Sequence, residues 1–157
     1  MTQPRAEDVF LDPMCGAGTL LIERGECARY RQLLGGDVRP DALEAARSNI
    51  GPRYKPIELR IWDACNLPLD TGSVGAVACN LPFGKKVGSR GELADLYARC
   101  VPELRRVLGS GAAAVLLTSE RALMERTLQR ADIFYCERML SLTVLGQRAF
   151  AFALRAI

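Results

Sequence analysis

Histidine is absent from all 157 residues, and tryptophan occurs only once. The six cysteines, Cys15, Cys27, Cys65, Cys79, Cys100 and Cys136, form no CxxC pair. With neither imidazole nor paired thiols, the chain has no recognisable zinc ligand set, and no metal is expected. Aromatic residues make up only 6% of the chain, so aliphatic side chains and alanine must fill the core. No apolar run reaches membrane-spanning length without a charge, and Glu7 and Asp8 stand where a secretory leader would need its apolar stretch. A chain long enough to bury a core has no need of a disulfide scaffold. Most of the thiols therefore read as small buried hydrophobes, and a cytoplasmic or otherwise reducing location is expected. Repeats, linkers and low-complexity segments are missing too, which leaves one domain over residues 1–157.

The composition, 49% hydrophobic and 25% charged, suits a folded domain with a full core. A formal net charge of +3 permits a polyanionic partner without requiring one.

The most informative stretch runs from Val9 to Glu23. An apolar run ends at Asp12, a short turn carries Gly16 and Gly18, and an apolar helix-like segment follows. This is the strand, turn and helix that open a nucleotide-type α/β fold. The glycines allow backbone geometries closed to other residues and leave room for a ligand against the chain. The dinucleotide-binding fingerprint would place a third glycine where this chain has Leu21. Cys15, inside the turn, is either a cofactor contact by position or a small residue tolerated in a tight loop.

The rest of the chain alternates strand and helix patterns. The first helix is predicted over residues 19–28, with Leu20, Leu21 and Cys27 available for burial. A strand over Leu33 to Val38 follows, then a helix opened by Pro40 whose Leu43, Ala46 and Ile50 recur at helical spacing. Asp37, at the end of the second strand, stands where a doubly wound fold places a ribose-binding acid, the alternative being an ordinary helix-opening acid. Ile57, Leu59 and Ile61 alternate as a third strand ending near Asp63, which could also be a turn-capping acid. After a turn over Pro68 to Gly72, Val74 to Cys79 reads as a buried strand. Leu93, Leu96, Tyr97, Cys100, Leu104, Val107 and Leu108 mark an amphipathic helix that Pro102 would kink and that Gly109 and Gly111 would end. Ala112 to Leu117 reads as a central parallel strand, Glu120 to Arg130 as a helix, and Phe134 to Leu154 as a terminal hairpin turning at Gly146 and Gln147.

The second informative stretch is Asn80, Leu81, Pro82, Phe83 and Gly84. A polar side chain, a backbone-fixing proline and an aromatic ring suit a place where a planar amine is held for reaction. The Asn80 amide oxygen and the Leu81 carbonyl can each accept one amine hydrogen, and Phe83 can stack on a base. From the residues alone, an ordinary turn explains the same run. Lys85, Lys86 and Arg90 follow as a local basic group, either phosphate-binding or a solvated loop face.

Asp12, Gly16 and Gly18 together resemble the first motif of class I S-adenosylmethionine-dependent methyltransferases. Asn80 to Phe83 resembles the fourth motif of amino-group methyltransferases, written Asn or Asp, Pro, Pro, Tyr or Phe, with Leu81 departing at the second place. With the following Lys85, Lys86, Val87 and Gly88, the run is similar to the tRNA guanine-N2 methyltransferases that carry a THUMP domain. The resemblance covers most of the chain from Val9 onward.

It implies an α/β, Rossmann-like, doubly wound, seven-stranded, mostly parallel sheet with a C-terminal antiparallel hairpin. It implies S-adenosyl-L-methionine as cofactor, held by Asp12, Cys15, Gly16, Gly18, Asp37 and Asp63, the last of these taking the adenine amino group. The catalytic residues it implies are Asn80, Leu81, Pro82 and Phe83, and the RNA-binding ones Lys85, Lys86 and Arg90. The partner would be tRNA or another RNA. The family's THUMP region is not in this sequence, so recruitment is expected from such an upstream region or from a separate partner. DNA adenine-N6 or protein glutamine methylation, and a non-catalytic S-adenosylmethionine-binding module, are the rival readings. A nicotinamide dehydrogenase is disfavoured by Leu21 and by the missing histidine.

Overall fold

The computed structural model describes residues 2–82, 90–144 and 146–157, with the Arg90 side chain left aside. Seven strands form one sheet: β1 (Val9–Asp12), β2 (Gln32–Asp37), β3 (Ile57–Ile61), β4 (Val74–Asn80), β5 (Leu108–Thr118), β6 (Phe134–Val144) and β7 (Gln147–Ala156). Four helices accompany them: α1 (Thr19–Cys27), α2 (Pro40–Ile50), α3 (Arg90–Val107) and α4 (Arg121–Ala131). The strand order is β3-β2-β1-β4-β5-β7-β6, parallel throughout except for β7, which runs antiparallel to both neighbours.

Both faces of the central strands are covered, because successive side chains point to opposite sides. Phe10, Leu33 and Ala76 share the face packed by Leu21 of α1 and Leu43, Ala46 and Ile50 of α2. Leu11, Leu34 and Val77 share the other, packed by Leu93, Tyr97, Val101 and Leu104 of α3 and Met124 of α4. This is the doubly wound architecture. It places the carboxyl ends of β1, β2, β3 and β4 along one edge.

The local expectations depart from the structure where distant partners decide. Cys27 is exposed, and Arg24 is the buried polar residue of α1. Its guanidinium donates to the carbonyls of Arg5, Ala28 and Arg29 and pairs with Asp8 at 3.3 Å, satisfying a charge that could not otherwise leave water. Strand β2 ends at Asp37, leaving Val38 exposed. Helix α3 runs through Pro102 without a break. Strand β5 starts at Leu108, before the two glycines expected to separate it from the helix. Gly111, at φ 71°, lies in the irregularity where the β4 and β5 registers shift. The connection from β3 to β4 has no helix; Arg106 and Glu103 of α3 instead bond Leu67 and Leu69 of that loop.

Candidate active site

The turn after β1 is closed by bonds from several elements. The Cys15 amide donates to the Gly36 carbonyl at 2.8 Å, and the Gly18 amide to the Cys15 carbonyl at 2.8 Å. The Gly16 amide donates to Asp37 Oδ2 at 3.1 Å. Asn49 Nδ2, at the end of α2, donates to the Ala17 carbonyl at 3.0 Å, and Trp62 Nε1 donates to the Pro13 carbonyl at 3.0 Å.

The two glycines of the turn differ in what they permit. Gly18, at φ 86°, opens α1, and a Cβ there would meet Ile50 Cδ1 at 3.0 Å. It is needed for both conformation and packing. Gly16, at φ 50°, would meet nothing within 4 Å. Its open face is therefore space for a ligand against the backbone.

Three acids line the edge beside this turn. Asp12 ends β1, Asp37 ends β2, and Asp63 follows β3. Asp37 is nearly buried, and its Oδ1 accepts the Arg39 amide at 3.0 Å while Oδ2 holds Gly16. Asp63 is exposed; its Oδ1 accepts the Cys65 amide at 2.9 Å and its Oδ2 lies 3.5 Å from Arg99. Val38, directly after Asp37, and Ile61, two residues before Asp63, present exposed apolar side chains, 61% and 62% accessible.

Asp12 is buried, accepts only the Met14 amide at 3.4 Å, and forms no ion pair among the described residues. Desolvation, reinforced by the charge of Asp37 and opposed by the Met14 hydrogen bond, pushes its carboxyl from 3.8 up to about 8. A folded-state value above the unfolded one gives stability that is full at low pH and is lost as pH rises through about 8. Asp12→Asn is expected to flatten this slope, gaining on the parent as pH rises from 5 to 8.5 in urea unfolding. Parallel curves for the two proteins would refute it.

Cys15 turns its thiol toward the core, where Gly35 approaches it. Burial, with Asp12 and Asp37 nearby, pushes it up to about 12, so it stays protonated.

At the end of β4, Asn80 is exposed and Leu81 is buried. The Leu81 amide donates to the Leu117 carbonyl of β5 at 2.9 Å. A proline at this place, as in the amino-group methyltransferase motif, would have no N–H to give. The departure at Leu81 thus keeps one more strand-to-strand bond at the mouth of the site. Because β4 lies beside β1, Asn80 and Asp12 rise from adjacent strands. Phe83, Lys85 and Lys86 lie outside the described residues, and of Arg90 only the backbone, at the start of α3, is described.

The structure brings to these turns residues that the sequence patterns did not assign to the site: Gly36, Asn49, Trp62, Tyr97 and Thr118. A signal existed for one of them. Gly35 and Gly36 interrupt an apolar strand, which marks a close approach, and the approaching group is the Trp62 ring.

The profile described as RMKL-like, methyltransferase domain matches residues 1–141. The bovine (Bos taurus) protein named tRNA (guanine(6)-N(2))-methyltransferase THUMP3 is 36% identical over 139 residues, covering 80% of this chain and 28% of the relative. The bovine U6 snRNA (guanine-N(2))-methyltransferase THUMPD2 is 37% identical over 123 residues, covering 76% of this chain and 24% of the relative. The chain thus spans about a quarter of the length of the curated relatives it matches. Among solved structures, TrmN from Thermus thermophilus superposes with a TM-score of 0.86 at 24% identity, over 99% of this chain and 46% of that one.

Proposed function

Because the chain belongs to the RMKL-like methyltransferase domain family, we propose that it transfers a methyl group from S-adenosylmethionine to the exocyclic N2 amine of a guanine in RNA. The observation that carries the reading is the juxtaposition of two turns on one sheet edge. The glycine turn with its acids closes β1, and Asn80 to Pro82 closes the neighbouring β4.

The residues present fit the cofactor. The open face of Gly16 gives it room, and the buried Asp12, lacking a cationic partner among the described residues, suits its ammonium group. Asp37 and Asp63 supply acceptors for ribose and adenine, with Val38 and Ile61 as apolar cover. When bound, the cofactor supplies a methyl group made electrophilic by its sulfonium.

The chain's own residues act on the amine. Asn80 Oδ1 and the Leu81 carbonyl accept its two hydrogens and hold its lone pair toward the methyl group. As bonding proceeds, positive charge grows on the nitrogen, so these oxygens bind the transition state more strongly than the neutral amine. Lys85, Lys86 and Arg90 are proposed to hold phosphates near the target. A THUMP-type region or a separate partner would carry the rest of RNA recognition. No helix among the described residues is long and apolar enough to cross a membrane, and a cytoplasmic setting is proposed from the unpaired cysteines.

The direct test incubates the protein with methyl-labelled S-adenosylmethionine and, in parallel reactions, total tRNA, DNA or protein, followed by mass spectrometry of the nucleosides and amino acids. Labelled N2-methylguanosine is expected. Label in DNA adenine or in protein glutamine, with none in RNA, would replace the reading. Cofactor binding without transfer to any of these acceptors, even with upstream RNA-binding segments restored, would favour a non-catalytic module.

Asp37→Ala tests the cofactor side. It removes an acceptor and also releases Gly16 and Arg39, so cofactor affinity is expected to fall by about 1–3 kcal/mol. Calorimetry on the folded variant that finds unchanged affinity would sink the assignment.

A further inference from the structure

Tyr97 of α3 is fully buried, yet its hydroxyl reaches both the Pro82 carbonyl, at 3.3 Å, and Thr118 Oγ1 at the end of β5, at 2.6 Å. Thr118 Oγ1 also accepts the Glu120 amide at 2.9 Å. A phenol has one proton, and a carbonyl can only accept. If Tyr97 donates to Pro82, Thr118 donates to Tyr97, and all four groups are satisfied in one directed chain. It runs from the Glu120 amide through Thr118 and Tyr97 to the Pro82 carbonyl. Burial pushes the Tyr97 phenol up to about 12, so its proton stays in place at any working pH.

The chain ends on a torsion that no other hydrogen bond among the described residues restrains. Proline fixes its own φ, and it confines the preceding Leu81 to extended geometry. The Leu81 amide is tied to Leu117. What remains is ψ of Pro82, which decides where its carbonyl points. We propose that the buried Tyr97–Thr118 hydroxyl pair sets this torsion, making both side chains positioning residues for the amine-accepting turn Asn80–Pro82. Neither touches the reacting atoms. Their effect is to anchor the Pro82 end of the turn while the Leu117 bond anchors its Leu81 end, in a place where a misplacement of about 1 Å can cost about 100-fold in rate.

The inference rests on the methyltransfer reading for its kinetic consequence, but not for the geometry, so the test reads both. Tyr97→Phe removes only the hydroxyl, Thr118→Val replaces it isosterically, and Thr118→Ser retains it. Hydrogen exchange of the Leu81 amide reports on the turn without any reaction. It is expected to quicken in Tyr97→Phe and Thr118→Val, and to stay near the parent rate in Thr118→Ser.

Single-turnover transfer to total tRNA, at saturating cofactor, is expected to fall about 10-fold or more in the first two, to recover in Thr118→Ser, and to fall no further in the double variant. Cofactor affinity is expected to change less than about twofold, well under the tenfold step of 1.4 kcal/mol. Unchanged exchange at Leu81 in folded Tyr97→Phe would overturn the proposal. So would a Thr118→Ser protein as impaired as Thr118→Val. A parent that binds both S-adenosylmethionine and tRNA yet transfers no methyl group, while Leu81 exchange responds as expected, would instead overturn the functional reading and leave the hydroxyl pair's role standing.

Discussion

Replacing Asn80 with Ala should lower methyl transfer by about 100-fold or more while leaving cofactor affinity within about twofold, the scale seen when one group facing developing transition-state charge is lost. Asn80 is exposed at the tip of β4, so its removal opens no cavity and the fold should persist. The loss belongs in the chemical step, because the proposed bond is to the target amine, and the cofactor's proposed contacts come from the ends of β1, β2 and β3. Asn80→Asp should be milder, since a carboxylate oxygen still accepts from the amine. Single-turnover rates at saturating cofactor and RNA separate these outcomes. Rates for Asn80→Ala equal to the parent's would exclude the role.

The second large effect is expected at Gly36. A Cβ there would overlap the Trp62 ring, a flat and rigid neighbour with no flexible end to move aside. Gly36→Ala must push the ring away from Pro13 or displace the strand whose Gly36 carbonyl holds the Cys15 amide. Either movement distorts the glycine turn. Overpacking alone should cost about 1–3 kcal/mol of stability. The displaced turn should add a loss of about tenfold or more in cofactor affinity, equivalent to 1.4 kcal/mol.

Two companions separate the causes. Trp62→Phe keeps an apolar plate but loses the N–H to Pro13, so it should weaken cofactor binding with a smaller loss of stability. Gly109→Ala is the benign control, because its Cβ would meet nothing closer than 3.6 Å. Urea unfolding and calorimetry on the same preparations give both readouts. A Gly36→Ala protein that binds the cofactor like the parent would show that the interlock does not govern the turn.

The contrast between Asn80 and Gly36 shows which parts of the site could be read along the chain. Asn80, Pro82 and the glycines at 16 and 18 announce themselves because their residue types form a recognisable pattern within a few positions of the chain. Gly36 and Trp62 do not, since each is unremarkable until β2 and β3 lie side by side and Trp62 folds over Gly36. Tyr97 shows the same limit. Its place in the amphipathic pattern of α3 marks it as core, which it is, and nothing in that pattern says that its hydroxyl meets Pro82 and Thr118. Arg24 shows the limit for a charge, since Asp8 and three carbonyls make its burial in α1 possible.

Local physics therefore determined the elements. Alternating and continuous apolar runs specify the strands, helical spacing specifies α2 and α3, and the conformational freedom of Gly16 and Gly18 specifies the first turn. The tertiary structure decided which polar groups meet. Strand order brings Asp37 to the Gly16 amide, Trp62 to Pro13, and the Leu81 amide to Leu117, pairings set by neighbours across the sheet. A periodicity reports only the face on which a side chain lies. Its hydrogen-bond partner depends on chain crossings that bring distant residues together, and those leave no repeat in the sequence to be read.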